Sequence, residues 1–303
     1  MLEYYVRTIL VTGGSGFIGR HFCAQAVCSG FGVIVISRDV PAAKQILPNA
    51  VQVLSDLDEL PASTNIDVIV NLAGEPLAKK RWSEKRKQLF YTSRGDFTER
   101  LFNFFALRDS APETLISGSA IGYYGPGSEP MTESSDYLDG FSHQLCAHWE
   151  ASARRFEKLG TRVCLIRTGI VLGDHGALAE MLPPFKLGLG GVIGSGQQYM
   201  SWIHVQDMVA LLMHCIETQK LSGPINATAP NPLRNYQFVK ILARVLRRPA
   251  VLPMPKWLTK LLFGEMGEEL LLQGQQVLPE KATQSGFVFM FPDLKLALED
   301  IIL

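Results

Sequence analysis

Short apolar runs alternate with longer stretches of helical periodicity through the first half of the chain. Ile9, Leu10 and Val11 form the first run, and it gives way to an apolar-periodic stretch over residues 17–27. Strands covered on both faces read as continuous apolar runs, whereas half-buried strands alternate, so runs of this kind belong in a sheet sandwiched by helices. The same pattern predicts strands at 32–37, 51–54, 67–72, 114–119 and 162–168, with helices over 89–107 and 143–159. Strands and helices taken in turn build a parallel sheet. The expected fold class is α/β, a Rossmann-type doubly wound parallel sheet with a smaller C-terminal substrate lobe.

The rhythm breaks past Gly169. Pro183, Pro184, Gly188, Gly190, Gly191, Gly194 and Gly196 punctuate the next segment, as expected of loops at a mouth. Met208, Leu211, Leu212 and Cys215 then mark one helix face, and Phe238, Ile241, Leu242 and Val245 another. Two more helices are expected near 257–263 and 294–302. The domain reading is therefore a nucleotide-binding domain over 1–225, with the loop-rich segment 174–202 contributing to its pocket, and a C-terminal substrate lobe over 226–303.

Between the first strand and the first helix lies Val11-Thr-Gly-Gly-Ser-Gly-Phe-Ile-Gly19. In that context Gly13 permits a sharp turn, Gly16 lets the backbone approach a pyrophosphate, and Gly19 lets the helix pack closely on the strand. Free N–H groups and the positive end of the helix dipole stabilise the phosphate charge. Ser15, Phe17 and Ile18 belong to the same turn and join the candidate cofactor contacts. About 20 residues further on, proteins of this type that use NAD place an acidic residue on the ribose 2′-hydroxyl. Ser37 and Arg38 stand there instead. A hydroxyl and a guanidinium suit a 2′-phosphate, which points to NADP(H), the alternative being that Arg38 is a solvated surface charge.

Charge adds little, because Lys plus Arg and Asp plus Glu both number 29 in 303 residues. No global field favours nucleic acid or an anionic membrane, and no apolar run reaches the ~20 residues that span a bilayer. The opening residues, with Glu3 leading straight into the first strand, do not read as a signal peptide. Cys23, Cys28, Cys146, Cys164 and Cys215 are scattered and odd in number, which suits free thiols in a reducing, cytoplasmic setting better than a disulfide frame. No ligand spacing suggests a metal site.

Taken together, the motifs resemble those of the extended short-chain dehydrogenase/reductases, and within them the atypical "epimerase family" proteins with a C-terminal domain of unknown function. The residues that carry the resemblance run nearly end to end. They are Thr12 to Gly19, Asn71-Leu-Ala-Gly-Glu-Pro76, Arg81-Trp82 with Ser93-Arg94, Ser119-Ala-Ile-Gly-Tyr-Tyr-Gly125, Trp149-Glu150, Arg167-Thr-Gly-Ile-Val-Leu-Gly173, Pro184-Phe-Lys-Leu-Gly-Leu-Gly-Gly191 and Trp202-Ile-His-Val-Gln-Asp207. The resemblance implies that Leu72 and Ala73 line the cofactor, that Arg94 and Leu89 approach it from the following helix, and that Val171 closes the nicotinamide side.

Active extended members also use a Ser or Thr after the fifth strand, which polarises the substrate oxygen, and a Tyr-x-x-x-Lys pair on the next helix. Ser119 fits the first role. Counting back from Glu150, the Tyr position holds Ser142 and the Lys position Cys146. Neither replaces the phenol and ammonium in kind. Tyr123 is a candidate phenol near the nicotinamide, the alternative for it being packing at the sheet edge. His143 and His148 lie near the missing pair without sharing a helix face. His204 and Asp207 look like a strand-to-helix junction with Asp207 as the cap, while Glu75, Lys186 and Trp202 are candidates for the pocket wall. Two functions follow. The first is an NADP(H)-dependent oxidoreductase or epimerase acting on a small polar or sugar-like molecule. The second is a catalytically impaired cofactor-binding sensor or interaction protein.

Overall fold

A computed structural model describes residues 6–303, so the reading of the chain's first five residues as no signal peptide lies outside the described part. Seven strands form the central sheet: β1 (Thr8–Thr12), β2 (Gly32–Ile36), β3 (Gln52–Leu54), β4 (Val68–Asn71), β5 (Thr114–Ala120), β6 (Arg162–Thr168) and β7 (Gly223–Ala227). They lie in the order β7-β6-β5-β4-β1-β2-β3, every neighbouring pair parallel. The chain winds outward from β1 to β3, then returns to β4 on the other side of β1. That reversal opens a crevice at the carboxyl ends of β1 and β4, where doubly wound sheets bind ligands.

Alternate residues of each strand feed opposite faces. Val11, Val35, Val70, Ile116 and Ile166 pack with Phe22 and Cys23 of α1 (Phe17–Cys28) and with Met208 and Leu212 of a later helix. Leu10, Ile34, Ile69, Leu115 and Leu165 face the other way onto Leu101, Phe105 and Phe156. A third cluster builds the lobe entirely from the second half of the chain: Leu178 and Phe185, Trp202, Phe238 and Leu242, and Leu294 and Leu298. At about 25 cal/mol per Å2 of apolar surface, each of these buried large side chains contributes on the order of 2 kcal/mol before the cost of ordering it.

The remaining helices are α2 (Val40–Ile46), α3 (Glu84–Tyr91), α4 (Phe97–Ala106), α5 (Phe141–Arg154), α6 (Ala177–Lys186), α7 (Val205–Glu217), α8 (Asn235–Leu246), α9 (Lys256–Phe263) and α10 (Leu294–Ile302), apart from two short turns at Glu265–Gly267 and Glu280–Gln284. Where one helix was expected over 89–107, α3 starts five residues earlier, with the Ser83 hydroxyl accepting from the Arg86 amide, and a π-helical turn at Thr92–Asp96 leads into α4. The helix expected to end at 159 is α5 followed by a 3-10 turn, Arg155–Leu159, stopped by Gly160 at φ 77°. β7 was not foreseen. It opens on Gly223 and Pro224, which mask a strand in sequence but suit a sheet edge, where proline removes no needed ladder bond. Residue 225 therefore lies inside β7. Among the described residues no helix is long and apolar enough to cross a membrane.

Candidate functional site

The crevice is formed where the turn after β1 meets the end of β4. Gly13 has φ +70°, and a Cβ there would sit 2.6 Å from the Leu72 carbonyl oxygen. A Cβ on Gly19 would fall 2.2 Å from the Gly13 oxygen, so α1 could not seat against the turn. Gly16 is different: it is exposed, and its added Cβ would meet only the Gly13 oxygen, at 3.1 Å. The space beside it is open. No side chain caps α1 and its first turn holds no acidic residue, so its leading N–H groups face no competing carboxylate there. This donor set fits a pyrophosphate.

Leu72 and Ala73 back this turn, their backbone atoms 2.6 to 2.9 Å from a Cβ placed on Gly13. Ile18, Leu72 and Val171 pack on the same apolar cluster, and Ser15 and Ala73 are half-buried beside it in sequence. Phe17 stacks on His175 with centroids 6.0 Å apart, and a Cβ on Gly173 would be 2.7 Å from its ring, so the Ile170–Leu172 strand ends against the glycine turn. Ser37 donates to the Asp39 carbonyl at 3.2 Å, while the Asp39 carboxylate caps α2. Arg38 is exposed, with no ion pair or side-chain hydrogen bond among the described residues. Leu89 is 41% exposed on α3, whereas Arg94 on the π turn is buried.

Beneath the crevice a polar ladder crosses the sheet. Thr12, Asn71 and Ser117 stand side by side in register on β1, β4 and β5. Thr12 Oγ1 donates to Asn71 Oδ1 at 2.6 Å, Asn71 Nδ2 donates to Thr98 Oγ1 at 2.8 Å, and Thr98 donates to the Arg94 carbonyl at 2.7 Å. The ladder fixes the turn that carries Arg94. Its guanidinium donates to the Glu75 carbonyl at 2.9 Å and lies over the Trp149 ring at 5.2 Å, with no carboxylate in ion-pair range among the described residues. Burial pulls its pKa down to about 10, against the upward pull of Cys146 and Glu75. A buried cation without a counter-ion is a place for a ligand anion.

On the far side of β4, Ser119 and Arg167 face each other across β5 and β6. Ser119 Oγ donates to Glu150 Oε1 at 2.8 Å, and Arg167 makes a two-pronged contact with the same carboxylate at 2.8 and 2.9 Å. Burial would lower the Arg167 pKa, but the Glu150 carboxylate overrides it and holds the guanidinium charged. Its Cζ sits 3.4 Å from the centroid of Tyr123. Tyr124 donates to Asn226 Oδ1 at 2.7 Å. Sequence reasoning quoted Glu150 and Arg167 as motif residues without pairing them, and it missed Thr98. The signal for Glu150 and Arg167 was the rarity of a charge in an apolar strand or helix face.

The positions of the absent Tyr and Lys are also defined. Ser142 Oγ donates to Glu269 Oε2 at 2.8 Å. Cys146 is buried, its thiol bonded to the Ala120 carbonyl at 3.6 Å and pushed up to about 11 by burial. His143 Nδ1 lies 2.6 Å from the Tyr123 carbonyl and its ring stacks on Tyr137 at 3.6 Å, while His148 faces Asp96 at 3.3 Å. The helix cap at 204–207 differs from expectation: His204 Nδ1 accepts from the Gln206 amide at 3.2 Å, and Asp207 instead accepts from the Met290 and Phe291 amides at 2.7 and 2.9 Å. Trp202 is fully buried in the lobe core. Among the described residues no group of three or more His, Cys, Asp or Glu could hold a metal ion. A cavity of about 610 Å3 opens elsewhere, between α8 and residues 249–250, lined by Tyr236, Lys240, Arg244, Arg247 and Arg248. It is shallow and shares no residue with the crevice.

Comparison with known proteins agrees with this fold. The model of the NAD dependent epimerase/dehydratase family matches residues 9–227, and a domain of unknown function, DUF1731, matches residues 254–301. Epimerase family protein YfhF of Bacillus subtilis (strain 168) is 40% identical over 300 residues, 97% of each chain, and SAR0825 of Staphylococcus aureus (strain MRSA252) is 36% identical over 304 residues, 98% of this chain and 99% of that one. The crystal structure of human epimerase family protein SDR39U1 (isoform 2) with NADPH superposes with a TM-score of 0.86 at 32% identity, covering 97% of this chain and 98% of that one. With its parallel seven-stranded sheet and the glycine turn at the β1–β4 crevice, the chain belongs to the NAD-dependent epimerase/dehydratase family, as an atypical extended short-chain dehydrogenase/reductase.

Proposed function

We propose that this protein is an NADP(H)-dependent oxidoreductase or epimerase acting on a small polar or sugar-like molecule. The observation that carries the reading is the uncapped start of α1 beside the open face of Gly16, with the unpartnered Arg38 at the end of β2. The NADPH held by the human relative supports the same choice of nucleotide. The pyrophosphate would rest on the 13–19 turn, the 2′-phosphate beside Ser37 and Arg38, and the nicotinamide end toward Ala73, Val171 and the Arg94 side of the crevice. When bound, the cofactor supplies hydride transfer. Residues 226–303, together with 174–202, serve as the substrate lobe.

Ser119 and Tyr123 border the substrate end in this reading. The Ser119 hydrogen is committed to Glu150, so its oxygen presents a lone pair to a substrate hydroxyl. Such a site holds an alcohol more readily than it polarises a carbonyl. One observation favours a second reading, a cofactor sensor without turnover: Ser142 and Cys146 cannot act as a phenol and ammonium pair. The test is calorimetric titration of NADPH and NADH, followed by a panel of alcohols and carbonyls assayed for cofactor turnover. Binding of NADPH with turnover supports the enzyme, binding without turnover supports the sensor, and no binding of either nucleotide overturns both.

A further inference from the structure

We propose that Glu269, delivered from the C-terminal lobe, is the proton-transfer residue of this site and occupies the corner left by the missing Tyr and Lys. The inference rests on the cofactor reading above.

Three glutamates follow α9, and two are spent on surface ion pairs: Glu265 with Lys87 at 2.8 Å and Glu268 with Lys260 at 2.6 Å. Glu269 turns the other way. Its Oε2 accepts from Ser142 on the first turn of α5, and its second oxygen has no partner among the described residues. No cation pairs with it there. The first turn of α5 abuts the turn that ends β5, since a Cβ on Gly122 would be 3.1 Å from Ser142 Cβ. A serine side chain is far shorter than a tyrosine, and the Ser142 hydroxyl ends on the Glu269 carboxylate at 2.8 Å.

The placement is held rather than incidental. Glu269 lies on a π-helical turn, Glu268–Leu272, a rare geometry that is frequent at functional sites. Gln198 Nε2 donates to the Leu271 carbonyl at 2.9 Å on one side of the turn. Just beyond it, Gln275 donates to the Ile121 carbonyl at 3.4 Å, and the Gln275–Val277 strand pairs with Gly127–Met131. Two neighbouring side chains on α5 are disqualified by their surroundings: Cys146 is buried and bonded to a carbonyl, and His143 is bonded to one and stacked on Tyr137.

The step balances without a further reactant. In oxidation the carbinol hydride goes to the nicotinamide C4 of NADP+ while the hydroxyl proton goes to the Glu269 carboxylate, leaving a carbonyl, NADPH and a neutral carboxyl. Reduction is the reverse. A carboxylate is weakly basic in water, but beside the oxidised, cationic ring it needs only to relay the proton to solvent.

The test compares wild type, Glu269→Gln and Glu269→Asp by titration with NADP+ and NADPH, and by single-turnover reduction of 9,10-phenanthrenequinone with NADPH. Because the nicotinamide is cationic only when oxidised, losing a nearby carboxylate should weaken NADP+ relative to NADPH by about fivefold or more, with Glu269→Asp restoring most of the ratio. Quinone reduction by Glu269→Gln should fall by about 10²-fold, the scale of a lost general acid or base. An unchanged nucleotide ratio, or unchanged turnover, overturns the assignment and leaves the cofactor reading intact. A wild type that binds both nucleotides yet is inert toward the quinone and toward the whole panel of alcohols and carbonyls also overturns it, in favour of the sensor. Failure of wild type to bind either nucleotide is the separate failure of the cofactor reading and takes this assignment with it.

Discussion

The Ser119 hydroxyl donates to Glu150 Oε1 across 2.8 Å, and the same oxygen receives Arg167 Nε at 2.8 Å. Both members of the ion pair are nearly dry, with side chains 3% and 5% exposed. Removing two charges from water is costly, and only a geometry in which every lone pair and proton is used offsets it. Here the pair clamps α5 to β5 and β6 directly under the candidate substrate end, and the Arg167 guanidinium serves as the floor on which Tyr123 lies.

Truncating one partner should therefore cost more than losing the serine. Glu150→Ala strands a buried guanidinium and is expected to destabilise the fold by about 3–5 kcal/mol. Ser119→Ala removes one bond to a carboxylate that keeps Arg167, with an expected cost of about 1–2 kcal/mol. Urea denaturation midpoints at constant slope measure both, and a Ser119→Ala loss equal to that of Glu150→Ala contradicts the clamp.

Nucleotide preference tests the end of β2. Wild type should bind NADPH more tightly than NADH by at least ~1.4 kcal/mol, equivalent to tenfold, and Arg38→Asp should reverse the order. Isothermal titration of both nucleotides into both proteins is the measurement. Equal affinities in wild type would sink the 2′-phosphate assignment.

The glycines of the turn should separate binding from folding. Gly16→Val keeps the fold but obstructs the pyrophosphate, because its side chain enters open space on the ligand side. Gly19→Val should instead disrupt folding, since even its Cβ would be 2.2 Å from the Gly13 oxygen. Circular dichroism with NADPH-induced thermal shifts distinguishes the two, and a Gly16→Val protein that keeps the full shift refutes the phosphate reading.

Stability should fall on acidification through His204. Burial lowers its pKa below 6.5, against an opposing pull from Asp300 and a reinforcing one from His21. A depressed folded pKa means that the unfolded state takes up the proton first, so the contribution is present above about pH 6.5 and is lost as the pH drops through the folded value. The chemistry agrees, because Nδ1 must stay unprotonated to accept the Gln206 amide. His204→Asn keeps an acceptor at the cap and should flatten the stability profile between pH 7 and 5. An identical slope in mutant and wild type assigns the acid sensitivity elsewhere.

Much of this molecule was legible in one dimension, because the signals involved are local. Strands buried on both faces read as runs of apolar residues, so the apolar runs within Val68–Asn71 and Arg162–Thr168 announce themselves. The turn at Gly13 demands a residue that tolerates φ +70° with Leu72 at its back, and only glycine does so without strain. Which residue meets which was another matter. β7 hid behind Gly223 and Pro224 because an edge strand tolerates what a central strand forbids, and being at the edge is a property of the whole sheet. Asp207 carries the residue type of a helix cap, yet packing spends it on the Met290 and Phe291 amides while His204 takes the cap. Ser142 and Glu269 are 127 residues apart, and nothing along the chain couples a serine at a helix start to a glutamate beyond α9. Composition and periodicity determined the sheet and its glycine turn through short-range sterics and burial. Tertiary packing alone decided which charges meet in the crevice, because such pairing depends on where distant elements come to rest.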